Sequence, residues 1–170
     1  MKRFRTLLPC IIGISLFLMT SWTYAATFIV DSLGDVDDGK PYKEGDGNNT
    51  LRKCIRLANE NADEPDTINF GISGTIFPTS TLPTITDDDT VIDASSQWDG
   101  AWPEGQPGIT LDGNGAGSND GNGLRIDGAD DCHIRGLFIT NFEANGVAIH
   151  NSGKFNLVGG TGEGYRNIIS

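Results

Sequence analysis

The sequence predicts an all-β solenoid of stacked parallel strands with one amphipathic helix at its amino-terminal end. From Asp66 onward it breaks into short β-rich pieces, TINF, GTIF, LPTI, TVID, GITLD, GLRID, CHIRGLFIT, GVAIH, FNLVGG and NIIS, divided by Gly, Asn, Asp and Pro. These pieces also repeat. Gly123, Leu124 and Ile126 return as Gly146, Val147 and Ile149, a shift of 23 residues, and Ile134 and Gly136 return as Leu157 and Gly159 at the same shift. If each period is one turn of a coil, equivalent residues stack about 4.8 Å apart in parallel sheets. A sandwich of hairpins does not need one side-chain pattern to recur at a fixed shift.

The amino terminus carries Lys2, Arg3 and Arg5, then the apolar run LLPCIIGISLFLM, then small residues at Thr23 and Ala25. This pattern predicts a signal peptide over residues 1–25 and a secreted or cell-surface protein. The apolar run is shorter than the roughly 20 residues of a spanning helix, so no membrane span is expected in the mature chain. Cys10 lies inside this run behind Pro9, so lipid attachment is not expected there. Loss of the three cations lowers the net charge from -11 to -14. Such a surface repels nucleic acid, anionic membranes and, unless a cation bridges the two, polyuronates. Cys54 and Cys132 are the mature cysteines, too few for a disulfide framework, so the fold must rest on an apolar core.

Residues 26–65 are expected to hold a strand (TFIV), an acidic glycine-containing loop and the helix. In TLRKCIRLANENA the apolar positions Leu51, Cys54, Ile55, Ala58 and Ala62 fall on one helical stripe, widened by Leu57, with Thr50 or Asn49 as cap. Residues 66–170 are expected to hold the stacked strands.

Chemistry-bearing residues gather in ADDCHIRG, Ala129 to Gly136. The 23-residue shift puts Cys132 over Phe155, His133 over Asn156, Ile134 over Leu157 and Arg135 over Val158. Cys132 and Ile134 then face the core while His133 and Arg135 face outward, and Asp130 and Asp131 project from a corner shared with Gly153 and Lys154. The alternation scatters the apparent cluster, so no catalytic residue is assigned. The segment from Asp112 to Gly123 opens like a calcium loop but has Ala116 and Gly123 at ligand positions. GGTGEG is one imperfect copy of a calcium-binding repeat, with Gly164 at an acidic position. Asp35, Asp37 and Asp38 form the better candidate for calcium, against the plainer reading of a solvated acidic loop. Trp98 and Trp102 lie in an interrupting loop, where they pack on a neighbouring strand or stack on a sugar.

The order of NNTLRKCI, DTINF, TLPTI, TVIDASSQ, GITLDG, GLRI, IRGLFITNF, GVAI, LVGG and RNIIS resembles the start of bacterial exported right-handed parallel β-helix proteins of the pectin lyase-like type. In that family a Cys-Ser-Leu-Arg-Glu-Ala pattern leads into a helix that caps the coil. Here Asn49 replaces the Cys, Lys53 the Glu and Cys54 the Ala. The resemblance implies a right-handed coil, capped by the helix, and a chain that is the amino-terminal part of a longer protein. The family holds both surface scaffolds and polysaccharide lyases or hydrolases. Asp130-Asp131-Cys132 resembles part of a polygalacturonase signature, but Ile149-His150-Asn151 lacks the flanking glycines of its histidine motif and no basic motif follows. A non-catalytic adhesion or display scaffold is therefore expected, its partner a surface polysaccharide or another cell-surface component. The alternative is the opening part of a carbohydrate-active enzyme.

The mature chain is expected to begin at Ala26. Amino-terminal sequencing of exported protein checks this, and an intact, membrane-embedded Met1 overturns it.

Overall fold

The computed structural model describes residues 24–61, 65–100, 105–115, 121–151, 153–162 and 164–170. The signal-peptide segment through residue 23 lies outside them, as do Ala62, Trp102 and Ala116. Among these residues eleven strands and one α-helix follow in order: β1 (Thr27–Val30), α1 (Leu51–Glu60), β2 (Thr67–Phe70), β3 (Gly74–Ile76), β4 (Val91–Asp93), β5 (Ile109–Asp112), β6 (Leu124–Asp127), β7 (His133–Arg135), β8 (Leu137–Thr140), β9 (Val147–His150), β10 (Leu157–Val158) and β11 (Ile168–Ile169). Every named strand pairing is parallel. The strands form three sheets, β1-β2-β4-β7-β10, β3-β5-β8-β11 and β6-β9.

Alternation explains the core. In-register pairing stacks Phe28, Ile68, Ile92, Ile134 and Val158 in the first sheet, and Ile76, Leu111, Ile139 and Ile169 in the second. In the third, Leu124 lies under Val147 and Ile126 under Ile149. Ile68, Ile92, Ile134, Ile76, Leu111, Ile139, Leu124 and Ile126 are all fully buried. Neighbouring outward positions carry Asn69, Asp93, Arg135, Arg125 and Asp127, so a strand two to four residues long still separates core from surface.

The α-helix obeys its predicted stripe: Leu51, Cys54, Ile55 and Ala58 are buried, and Leu57 packs against the core. Of the two candidate caps, Thr50 takes the role, its hydroxyl accepting from the Lys53 N–H at 3.2 Å. The helix packs on β1 and β2, at one end of the largest sheet.

The expected all-β, closed right-handed β-helix does not form. Among the described residues the three parallel sheets, of five, four and two strands, do not close into a solenoid. Two local causes are visible. After β1 the chain turns into the acidic loop and α1 instead of adding strands to the other sheets. LPTI, expected as a strand, contributes only the single bridge from Ile85 to Ile126, because Pro83 lacks the N–H that a ladder requires. Nor is there one period. The first sheet pairs Thr27 with Thr67, Thr67 with Val91, Val91 with His133 and His133 with Leu157, at plainly unequal spacings. The 23-residue shift holds between β6 and β9, where the Asn145 amide also donates to Asn122 Oδ1 at 2.8 Å. Between β7 and β10 the shift is one residue longer.

That slip corrects the expected stack. Leu157 lies on His133, and Val158 lies on Ile134. Cys132 is buried as expected, but its N–H is held by Asn156 Oδ1 at 2.8 Å, and Phe155 stands 79% exposed with φ of +57°. The extra residue is absorbed by this left-handed turn. Gly136 performs a related task between β7 and β8. At φ of +81° it turns the chain from the first sheet to the second, where a Cβ would lie 2.5 Å from Ser95 N.

Ile134→Ala is expected to cost about 2 to 5 kcal/mol, whereas Phe155→Ser stays within about 0.5 kcal/mol. Urea unfolding of both variants checks this. A large penalty for Phe155→Ser restores the 23-residue register.

Candidate functional site

The acidic loop is where the sequence concentrates oxygen ligands, and α1 meets them with cations. Arg52, Lys53 and Arg56 come from its first two turns. Arg52 forks onto Asp35, with Nε to Oδ1 at 3.0 Å and Nη2 to Oδ2 at 2.9 Å. Asp35 Oδ2 also accepts from the Thr79 N–H at 2.7 Å, and Arg52 reaches the carbonyls of Ser80 and Thr81. Lys53, with a fully buried side chain, sets Nζ 3.1 Å from Asp38 Oδ1. Arg56 Nε donates to Asp37 Oδ2 at 2.5 Å, and its Nη1 donates to Glu60 at 2.6 Å. The three carboxylates proposed for calcium are thus engaged by three cations of the neighbouring helix. The loop is neither freely solvated nor an open oxygen cage.

These contacts shift the acids. The Lys40 backbone N–H, aided by Lys53 against the opposing effect of desolvation, holds Asp38 down at about 2. The Arg56 guanidinium holds Asp37 below its ordinary value and is itself raised by it.

In ADDCHIRG the structure separates the functional groups. Burial pushes the Cys132 thiol up to about 11, while its sulfur donates to the carbonyls of Asp87 and Asp130. Cys54, on α1, is pushed by burial to about 12. Neither thiol is a nucleophile. His133 faces outward between Val91 and Leu157 in the sheet. Arg135 Nη2 donates to Asp93 Oδ2 at 2.7 Å, 42 residues earlier in the chain. Burial works to raise Asp93, but Arg135 and Ser95 together bring it below its ordinary value.

Asp130 and Asp131, expected to project from a corner, are bound into it. Asp130 Oδ1 accepts from the Lys154 N–H at 2.6 Å, and the Asp130 N–H donates to Asp88 Oδ1 at 2.8 Å. Asp131 occupies a left-handed turn at φ of +55°, a conformation Asp tolerates. Both build the corner, beside Asp88.

Tyr165 and Trp98 each carry an arginine over the ring, a feature that sequence alone did not reveal. The Arg135 guanidinium lies 4.1 Å from the Tyr165 ring centre, and that of Arg166 lies 5.4 Å from the Trp98 ring. Gly164 sits against Trp98, where an added Cβ would lie 3.1 Å from the tryptophan Cβ. Trp98 therefore packs on Gly164 and gives a face to Arg166. No spacing rule links residue 98 to residue 166, so the pairing was invisible beforehand.

A concavity lies elsewhere among the described residues, at the corner joining the carboxyl ends of β5 and β8. A cleft of about 410 Å³ is lined by Gly113, Asn114, Gly115, Asn141, Phe142 and Glu143, together with Gly121. Asp112 braces its rim, its Oδ1 accepting from the Asn114 N–H and the Asn141 amide, each at 2.9 Å. The lining combines two asparagine amides with glycines and the Phe142 side chain, and Glu143 is its one charged residue. It offers amide donors and acceptors, but no acid and base in contact with one another.

Among the described residues no group of three or more His, Cys, Asp or Glu is arranged to hold a metal ion, and no helix is long and apolar enough to cross a membrane. No family model, curated protein or solved structure matches the chain.

The depressed acidity of Asp38 sets a pH window. Its contribution is complete above the unfolded carboxylate value of about 4 and is lost as pH falls through about 2. Asp38→Asn is expected to lower the urea midpoint at about pH 6 and much less at about pH 2. An equal loss at both values removes the ion pair from the account.

Proposed function

We propose that this chain is an exported or cell-surface scaffold used for adhesion or display, with no catalytic role for these residues. The observation that carries this reading is the use to which its charged groups are put. Asp35 with Arg52, Asp37 with Arg56, Asp38 with Lys53 and Asp93 with Arg135 are internal pairs that tie the acidic loop to the helix and neighbouring strands together, and Asp127 pairs with Arg125 along β6. A lyase or hydrolase needs an acid and a base converging on one substrate atom, with the pKa of each matched to its task. Here the shifted carboxylates are lowered by structural partners. Export is supported by the cation-led apolar run at the amino terminus.

The purified full chain, incubated with polygalacturonate and with uncharged polysaccharides, is expected to release neither reducing nor unsaturated ends above the blank. Expressed with its own amino terminus, it is expected at the cell surface or in the medium. Turnover that disappears in a folded Asp130→Asn, Asp131→Asn variant replaces the scaffold with an enzyme.

A further inference from the structure

We infer that Asn114 is a site of spontaneous deamidation, which turns a neutral amide on the cleft wall into a carboxylate. The chain contains three Asn-Gly pairs, Asn114-Gly115, Asn122-Gly123 and Asn145-Gly146. A following glycine, with no side chain to hinder attack, makes the three comparably prone by sequence. The reaction needs the glycine N–H free to attack and the asparagine side chain free to swing onto it. The fold meets both conditions at one pair. Asn114 and Gly115 line the cleft and are exposed. Among the described residues neither the Asn114 side-chain amide nor the Gly115 N–H has a hydrogen-bond partner, and Asn114 is bonded through its own N–H to Asp112. Nothing lies within 4 Å of the position a Gly115 Cβ would take.

The other two pairs are locked. Asn122 is 6% exposed and its Oδ1 accepts from Asn145 Nδ2 at 2.8 Å, so one hydrogen bond restrains both side chains. The Gly123 N–H, the nucleophile of its pair, donates to Asn145 O at 2.8 Å, and Gly146 O accepts from the Leu124 N–H at 2.9 Å. These bonds hold the Asn145-Gly146 peptide on both sides. Gly146 is also enclosed, since an added Cβ would lie 2.6 Å from Ile169 Cγ2. At Asn114 the Gly115 nitrogen adds to Cγ and the Cγ–Nδ2 bond breaks, Nδ2 leaving as ammonia with the proton from Gly115. Water then opens the cyclic imide. Cleavage at the side-chain carbonyl gives aspartate, and cleavage at the main-chain carbonyl gives isoaspartate, with the backbone routed through Cβ and Cγ. Either product adds a carboxylate to a cleft that holds Glu143 and is braced by Asp112. The change falls in the connection between β5 and β6, outside the stacked columns.

Timed incubation of the purified full chain in mildly alkaline buffer, folded and in urea, tests the assignment. Peptide mapping with electron-transfer fragmentation follows each asparagine, its aspartate and its isoaspartate separately. In urea the three pairs are expected to react at comparable rates. In the folded chain Asn114 keeps that pace, while Asn122 and Asn145 slow by about tenfold or more, because reacting atoms held out of line lose rate steeply. Isoelectric focusing of the aged, folded parent is expected to resolve an acidic band that Asn114→Gln removes, and thermal melts confirm that this variant is folded. Equal rates at all three pairs in the folded chain overturn the inference, as does an Asn114 slowed as much as the other two. An acidic band undiminished in Asn114→Gln overturns it as well.

Discussion

The structure depends on parallel, in-register stacking of inward-facing aliphatic side chains. Ile68, Ile92 and Ile134 are supplied by strands three or four residues long, and each is fully buried only because the levels above and below it are present. Burial of one such side chain stabilises by about 1.5 to 3 kcal/mol, which offsets the ordering of only one or two residues. No strand of this length holds itself. The alternation that builds the column also determines the surface, because the same strands that turn isoleucine inward turn Asp93 and Arg135 outward, where they bond across levels.

Polar side chains join the levels where strands end. Asn156 accepts from Cys132 N and donates to Ala129 O, and Asn167 accepts from Leu137 N and donates to Ile134 O. Each uses both ends of its amide to close backbone groups that a turn would leave without partners. The Asp130 carboxylate, an acceptor alone, closes the Lys154 N–H. The ion pairs around α1 repeat this logic on a larger scale, fastening the acidic loop to the helix and, through Arg52, to the 79–81 segment. Buried charge is tolerated there because nearly every neighbouring oxygen is engaged.

Periodicity made the strands legible, and local chemistry made the helix legible. TFIV, TINF and TVID lie in strands, and Leu51, Cys54, Ile55 and Ala58 line the buried face of α1. Closure of the coil was not legible, since one repeat between β6 and β9 was extended to a chain whose other levels differ in spacing. The slip at Phe155 was hidden for a related reason: LVGG matches IRGL equally well at either register, and only the left-handed turn decides between them. Of the chemistry, the outward placement of His133 and Arg135 could be read from alternation. Their partners could not. Asp93 pairs with Arg135 across 42 residues, and Arg166 meets Trp98 from a segment that no short-range rule relates to it. Lys53 shows the same limit, since its burial follows from the position of Asp38 and not from the helical stripe on which it borders.

The asparagine hooks and short strands have a bearing on how such a chain diversifies. Alignment between levels is fixed at strand and corner, so the segments between are released from any requirement of length. Between Ile92 and Ile134 the chain makes excursions through both other sheets and still returns to the same column, two adjacent isoleucines in direct register. Length variation in those excursions carries little thermodynamic penalty, because closing a longer loop costs only slowly more. The core can therefore stay nearly constant across a lineage while the periphery is rewritten, one excursion at a time, without renegotiating the interior.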